Sequence, residues 1–422
     1  MTFLRSFRSN PQILLLAMAF VMPLVFSVWN ALLNNFVVEK AQFNGAQIGM
    51  LQSLREVPGF LAFTAVFLLL VLKEQTLALV SLAVMCVGVA LTGWLPFELG
   101  LYCTTVLMSI GFHYFETINQ SLTLQWLDKD KSAHFMGQQL AVKSFASLLA
   151  YGAIWLLMEW AGISYVAMYM LAGGVGLLIV IWLWFGFDKF TQTSVQHKHM
   201  FLRKRYWLYY GLVFFSGARR QIFMVFASFM MVEKFGYSVG DISLLYMLNY
   251  VFNLFFAPKI GRWIHKIGEQ RALCIEYLGL LCVFVGYAWV DNSQLAAGLY
   301  VIDHLFFAMA IAVKTYFQKI ADHRDIASTA GVSFTINHIA AVVIPALLGV
   351  VWLTSPSAVF YIGAGFAVCS LILALNIPDQ PNDGNEVRMN MLRWANVPSV
   401  ASLRRIHEVF SVIADDKFVC CF

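Results

Sequence analysis

Val38-Glu39-Lys40 recurs 194 residues further along the chain, from position 38 to position 232, as Val232-Glu233-Lys234. The same spacing pairs identical residues further on, namely Ile48/Ile242, Leu51/Leu245, Leu54/Leu248, Val57/Val251, Asp128/Asp322, Ala133/Ala327, Gly137/Gly331 and Ala146/Ala340. A constant spacing without a gap over about a hundred residues indicates two related units. Both units consist of long apolar segments, so the repeat predicts two equivalent bundles of membrane-spanning helices, an organisation found in membrane carriers.

The composition indicates an integral membrane protein, because 60% of the residues are hydrophobic and only 12% are charged. A soluble domain carries about a quarter charged residues. A membrane-spanning helix needs about 20 apolar residues. The chain contains twelve such segments, at 13–36, 46–72, 75–94, 98–123, 135–158, 163–187, 207–232, 239–258, 270–290, 294–318, 326–353 and 357–376. The predicted fold class is all-α, with twelve transmembrane helices in two pseudo-symmetric six-helix bundles.

The distribution of basic residues predicts the orientation of the chain. Of the 28 Lys and Arg residues, two lie in outer loops (Lys40 and Lys234), five lie within spans and 21 lie in inner loops and tails. By the positive-inside rule both termini are cytoplasmic, and the expected location is the plasma (inner) membrane. The predicted units are an N-terminal bundle (1–187), a basic cytoplasmic linker (188–206), a C-terminal bundle (207–376) and a cytoplasmic tail (377–422).

Several site classes find no support in the sequence. The seven cysteines are odd in number and follow no framework spacing, which argues against a disulfide framework and a metal site. No nucleophile–base or metal-ligand spacing appears, so we predict no catalytic site, no cofactor and no enzyme activity. The net charge of +5 follows the membrane side and does not indicate a nucleic-acid partner. Because no nucleotide-binding loop is present, any transport must draw its energy from a gradient.

The segment PKIGRWIHKIGEQR at 258–271 resembles the loop signature of the major facilitator superfamily. The matching positions are Gly261, Arg262, His265, Lys266, Gly268 and Arg271, and His265 stands where the family has an acidic residue. The resemblance extends over 13–376 and implies the twelve-span fold, a monomer and alternating access to a central cavity lined by spans one, four, seven and ten. It also implies a small-molecule solute and a proton or a counter-solute as partners in the lipid bilayer.

Charged residues inside the spans are the candidate site residues, because a charge in hydrocarbon costs at least about 2.5–3.5 kcal/mol and therefore marks a cavity or a pair. Arg219 and Arg220 lie at mid-depth of span seven. At least one of them is predicted to bind an anionic group of the substrate, and the alternative is that one pairs with a neighbouring carboxylate. Asn30 and Asn34 in span one are predicted to face the same cavity.

Three residues are candidates for proton coupling: Glu116 in span four, and Asp303 and His304 in span ten. Glu116 lies at the same depth as Lys143 of span five, so the alternative for it is a permanent ion pair. A conformational change that alternately buries a carboxyl and pairs it with a cation would bind and release a proton. The alternative for His304 is the commoner role of a buried histidine whose hydrogen bonds are all made within the protein.

Arg55 and Glu56 in span two precede Pro58-Gly59. They are predicted either to form a local pair at the interface between the halves, beside a kink, or to act as a gate that closes the outer side.

Within the spans the cations outnumber the anions, which favours an anionic solute. The prediction is therefore a secondary active transporter of a small, anionic solute with proton coupling. The alternatives are an efflux carrier for drugs or other lipophilic compounds, a non-transporting membrane sensor of the same fold, and a membrane-embedded enzyme. The last is disfavoured because the outer loops are short and hold no catalytic spacing.

Overall fold

Twelve long helices follow one another with short connections in the computed structural model, which describes residues 8–69, 71–126, 129–190, 203–322 and 326–389. The helices are α1 Pro11–Glu39, α2 Gly45–Phe60, α3 Glu74–Thr92, α4 Glu98–Trp126, α5 Lys129–Ile154, α6 Tyr165–Gly186, α7 Trp207–Ile222, α8 Val239–Ile267, α9 Glu269–Trp289, α10 Ser293–Phe307, α11 Ile326–Thr354 and α12 Pro356–Leu375. Each coincides with one of the twelve predicted spans, and the all-α membrane fold is confirmed.

Three helices continue beyond the bounds just given, and a fourth, α2, is followed by short helical turns. α5 and α7 continue through wider π-type turns at Trp155–Trp160 and Phe223–Ala227, and α7 then ends with Ser228–Glu233. α10 continues beyond a tight turn as Ile311–Ile320. α2 gives way after Pro58 and Gly59 to short turns, as expected where a proline interrupts the hydrogen-bond ladder.

The sequence repeat has a structural counterpart at the start of α2 and of α8. Asn44 and Gln47 form a capping box at the first of these helices, and Ser238 and Asp241 form one at the second. Both pairs of positions differ by the repeat spacing of 194 residues. A capping box satisfies two backbone donors that the first turn leaves unpaired, so the two units begin their second helix by the same device.

Two helix pairs join the N-terminal half, α1–α6, to the C-terminal half, α7–α12. α2 packs along α11, and α5 packs along α8. Gly349 allows the first pair to approach closely, because a Cβ added there would lie only 3.2 Å from the Cα of Gly49. The interface between the halves is therefore built from α2, α5, α8 and α11.

Several contacts close this interface on the side where α1 ends and α2 begins, which is the outer side in the predicted orientation. Asn35 Nδ2 donates to the Tyr237 carbonyl at 2.7 Å. Glu159 Oε1 accepts from Ser238 Oγ at 2.9 Å and from the Gly240 amide at 2.8 Å. Each of these bonds joins the first half to the second, so the outer side cannot open without breaking them.

Helix α8 corrects the prediction that the family signature forms a loop. The helix extends to Ile267, and the chain turns only at Gly268, whose φ of 85° favours glycine. Most of the signature is therefore the last part of α8. Basic residues at a helix end can reach the membrane surface without leaving the helix, which explains why their presence did not mark a loop.

Nine helical stretches among the described residues are individually long and apolar enough to span a membrane. The helices α2, α4 and α8 do not meet that criterion along their full length, although α8 contains a shorter apolar stretch, Val239–Phe252. α2 has only 16 residues, and α4 and α8 contain polar residues, some of which belong to the site described below. Of the predicted linker and tail, 191–202 and 390–422 lie outside the described residues.

The described part of the tail packs on the C-terminal half. Arg205, at the start of α7, donates to Asp383 Oδ1 at 2.8 Å, and Tyr316 OH donates to the Glu386 carbonyl at 2.6 Å. Segment 376–389 is thereby attached to the inner ends of α7 and α10.

Candidate functional site

A group of charged and titratable side chains lies where the two halves meet at mid-membrane. Arg55 Nη2 lies 2.5 Å from Glu56 Oε1 on α2. The other oxygen of that carboxylate lies 3.8 Å from His338 Nε2 on α11. The ring of His113, on α4, lies 5.4 Å from the ring of His338. We call these four residues the interface cluster, because three come from the N-terminal half and His338 comes from the C-terminal half.

The surroundings of the interface cluster are small and well tied together. A side chain at Gly59 would collide with the rings of both His113 and His338. Ser109 of α4 donates a hydrogen bond to the Arg55 carbonyl. The cluster therefore depends on a glycine at this position and on the α2–α4 contact that the serine maintains.

Arg220 approaches the interface cluster from α7. It lies at the middle of that helix and is nevertheless exposed. Protein surrounds the guanidinium although solvent reaches it, and the group lies within electrostatic range of Glu56, which attracts its charge, and of Arg55, which repels it. An exposed arginine at mid-membrane that interacts with charges of the opposite half extends into the space between the halves.

Arg219 faces the interior of the C-terminal half instead. Its Nη2 lies 4.0 Å from Glu276 Oε1 on α9, and its guanidinium carbon lies 4.3 Å from the centre of the Tyr277 ring. Asp303 of α10 interacts electrostatically with both Arg219 and Glu276. These three charged residues, the triad below, are 2%, 1% and 5% exposed. One cation thus faces two buried carboxyl groups.

Replacing Arg219 by alanine is expected to destabilise the fold by about 3–5 kcal/mol, the usual cost of removing one partner of a buried ion pair. Glu276 and Asp303 would remain buried with no guanidinium beside them. The midpoint of thermal unfolding in detergent measures the loss. Arg220→Ala is the matched control, since its exposed side chain should cost much less. A normal midpoint for Arg219→Ala would show that the triad does not stabilise the fold.

Glu116 and Lys143 lie together as their equal depth predicts. Lys143 Nζ lies 2.5 Å from Glu116 Oε1, and the two side chains are 26% and 40% exposed respectively. His304 is held by its own helix, with Nδ1 3.1 Å from the Tyr300 carbonyl. The structure thus places Glu116 in a half-exposed pair and keeps Asp303 in the buried triad.

Asn30 and Asn34 share one face of α1, one turn apart. Asn30 is half-buried and Asn34 is buried. Within the described residues the Asn34 side-chain oxygen has no hydrogen-bond partner, and neither polar side-chain atom of Asn249 on α8 has one. Buried polar atoms are normally paired, so these positions retain hydrogen-bonding capacity that a bound solute could use.

The signature residues lie at the inner end of α8, away from the interface cluster. His265, Lys266 and Arg271 are exposed there. The side chains of Gly261 and Arg262 lie outside the described residues. The signature therefore contributes to the inner surface and is not part of the mid-membrane site.

The interface cluster contains side chains of the kind that bind metal ions. Glu56, His113 and His338 offer ligand atoms that lie within 4.8 Å of one another, and a carboxylate with two imidazoles is a common zinc ligand set. However, Arg55 already holds the carboxylate, and Arg220 adds a second positive charge. Two guanidinium groups at this range oppose a divalent cation, so the charge balance favours an anion or a proton.

Sequence reasoning named most of these residues but not their grouping. The sequence did not single out His113 or His338, because each is the one histidine of its span and no local spacing connects them. Glu276 was not singled out either, because it lies near the end of its span. No spacing along the chain brings α4 next to α11, so the interface cluster required the packing of the halves.

Comparisons with known proteins agree with this fold. The model of the Major Facilitator Superfamily matches residues 14–345. The crystal structure of the nucleoside transporter NupG gives a TM-score of 0.67 at 15% identity, covering 87% of this chain and 98% of that chain. The crystal structure of a bacterial homologue of the human lysosomal transporter Spinster, in an inward-facing and occupied conformation, gives a TM-score of 0.64 at 12% identity. The match covers 87% of this chain and 96% of that chain. At these identities the likeness shows the fold alone. Curated protein sequences gave no match.

Proposed function

The chain belongs to the Major Facilitator Superfamily, and from that premise we propose that it carries a small anion across the membrane with proton coupling. Secondary transport of a small solute, without enzyme activity, follows from the family and from the transporters that share the fold. The sign of the solute and its coupling are our proposal. We further place the protein in the plasma (inner) membrane as a monomer with both termini cytoplasmic.

The observation that carries the anion proposal is the position of Arg220. It is exposed at mid-membrane and directed towards the opposite half. It adds a second guanidinium group within electrostatic range of Glu56, beside that of Arg55. A guanidinium binds carboxylate or phosphate through two parallel hydrogen bonds. An anionic group of the solute would balance the charge there, whereas a lipophilic cation would be repelled.

Hydrogen bonds would fix the orientation of the bound anion. Asn34 carries a buried oxygen without a partner, and Asn30 lies on the same face of α1. A solute bearing a hydroxyl or amide group beside its charge would use this capacity. Asn30 and Asn34 are therefore our proposed neutral contacts, and Arg220 is the charged one.

The proposed proton site is the triad of Arg219, Glu276 and Asp303. If both carboxyls were ionised, the group would carry one uncompensated negative charge in a buried position, which is costly. A proton on one carboxyl removes that charge. We assign the exchanging proton to Asp303, because Glu276 is the carboxylate closer to the guanidinium.

Helix α7 links the two proposed sites, because it carries Arg219 and Arg220 side by side. Consecutive residues on a helix point about 100° apart, so one arginine contacts the triad while the other reaches the space between the halves. A small rotation or tilt of α7 would move both guanidinium groups together. Protonation of the triad and binding of the anion would then be coupled through a single helix.

Thermal stabilisation of the purified protein tests the sign of the solute. Three panels are compared: small carboxylates and phosphates, neutral nucleosides and sugars, and lipophilic cations. A ligand that binds only the folded state stabilises it by about 2.7 kcal/mol at a hundred times its dissociation constant. We expect stabilisation by members of the first panel alone. Stabilisation by a neutral nucleoside would instead indicate a solute of the kind that NupG transports. Stabilisation by cations alone would favour the efflux alternative.

A further inference from the structure

We propose that His338 is a proton-binding site whose protonation joins the two halves of the protein. The site consists of the imidazole of His338 on α11 and the carboxylate of Glu56 on α2. It is distinct from the triad, which lies within the C-terminal half. The inference concerns the balance between outer-closed and outer-open conformations, so it does not depend on the sign of the solute.

The hydrogen bond on the far side of the ring fixes the tautomer of His338. Its Nδ1 lies 2.9 Å from the Phe334 carbonyl. A carbonyl oxygen can only accept, so Nδ1 carries the hydrogen in the neutral ring and Nε2 presents a lone pair. That lone pair faces the Glu56 carboxylate at 3.8 Å. Two acceptors repel each other, and the distance exceeds that of a hydrogen bond.

A proton on Nε2 reverses this interaction. The charged ring would donate from Nε2 to Glu56 Oε2, and charged hydrogen bonds of this kind measure about 2.7–2.9 Å. The two atoms therefore need to approach by only about 1 Å. Arg55 holds the other oxygen of the same carboxylate at 2.5 Å. Protonation would thus complete a continuous chain from Arg55 through Glu56 to His338, across the interface between the halves.

Few charged or titratable side chains surround His338 among the described residues. α2 contributes Arg55 and Glu56, α4 contributes His113, and α7 contributes Arg220. α12, which also packs against α11, carries no Asp, Glu, Lys, Arg or His. Arg55 and Arg220 oppose a positive charge on the ring, and Glu56 favours it. Of these groups, Glu56 is the negatively charged acceptor, and its Oε2 is the atom that His338 Nε2 faces.

The position of the pair determines its effect on conformation. α2 and α11 also form the close outer contact at Gly49 and Gly349. Opening the outer side requires these two helices to separate. A charged hydrogen bond between them would therefore favour the outer-closed conformation, and its loss at higher pH would favour opening.

The distance between spin labels on the outer ends of the two halves measures this balance without any solute. Leu99 of α4 and Leu295 of α10 are 68% and 58% exposed, so cysteines there can carry labels in a background whose native cysteines are replaced. A charged hydrogen bond shifts an equilibrium at least about tenfold. We expect the ratio of closed to open molecules to rise by about this factor when the pH is lowered from about 8 to about 5.

Two substitutions at His338 distinguish the hydrogen bonds made by its two ring nitrogens. Asparagine can keep the bond to the Phe334 carbonyl but offers nothing to Glu56, so His338→Asn should be insensitive to pH. Glutamine can donate a permanent hydrogen bond to Glu56, so His338→Gln should stay closed at both pH values. The matched control is His265→Asn, which alters an exposed histidine near the end of α8, away from the interface cluster, and should keep the full pH response.

Three results would overturn the inference. These are an unchanged distance in the parent protein between about pH 5 and about pH 8, a full response in His338→Asn, or equal loss of the response in His265→Asn. Because no solute is present, each result leaves the proposed anion site to be judged separately.

Discussion

Arg220→Ala is expected to weaken binding of the anionic solute by about tenfold to a hundredfold, the range that a lost charged hydrogen bond commonly gives. The guanidinium is exposed at mid-membrane and reaches towards the opposite half. Its removal takes away the positive charge that would face the solute but leaves the triad in place. Titration of the purified protein with a stabilising anion gives the dissociation constant directly.

Two controls make the Arg220 result specific. Arg220→Lys keeps the positive charge but cannot make two parallel hydrogen bonds to one anionic group. The affinity of this variant for the anion should therefore lie between those of the parent and the alanine variant. Lys314→Ala removes an exposed cation from the inner part of α10 and should change affinity less than about twofold if only local charge matters. An unchanged affinity in Arg220→Ala would show that the anion binds elsewhere.

The second large effect is expected in Asp303→Asn, which should no longer couple transport to a proton gradient. Asparagine has a similar shape but cannot release a proton. With a neutral side chain at position 303, Arg219 and Glu276 can balance each other's charge without a proton exchanging at that position. Uptake driven by a pH gradient into proteoliposomes should therefore fall to background, while exchange of labelled for unlabelled solute should continue.

Glu116→Gln is the matched control for coupling, since both carboxyls are candidates and each lies near one basic residue. Glu116 is half-exposed and already paired with Lys143 at 2.5 Å. We expect this variant to retain gradient-driven uptake. If Glu116→Gln loses coupling and Asp303→Asn keeps it, the proton is carried by the N-terminal half and our assignment to the triad is wrong.

Local signals in the sequence predicted the fold because membrane helices satisfy their hydrogen bonds within a single segment. Twelve apolar stretches led to twelve helices, and the 194-residue repeat has a physical counterpart in the capping boxes at Asn44 and Ser238. The signature at the end of α8 was the exception. Its charges suggested a loop, but a helix end near the lipid headgroups accommodates the same residues.

The candidate site was less predictable, because it depends on which helix faces meet. Adjacent residues on a helix point in different directions, but only the position of Glu276, 4.0 Å from Arg219, identified which of the two arginines meets a carboxylate. Likewise, His113 and His338 lie 5.4 Å apart in space and more than half the chain apart in sequence. Neither histidine resembles a site residue until α4 and α11 are brought together around α2.

The most direct test of the account is gradient-driven uptake of a stabilising anion by the protein in proteoliposomes. We predict accumulation above the external concentration when a pH gradient is imposed, and loss of that accumulation in Arg220→Ala. Accumulation of the anion by Arg220→Ala at the parental rate, or accumulation of only neutral or cationic solutes by the parent, would contradict the central claim.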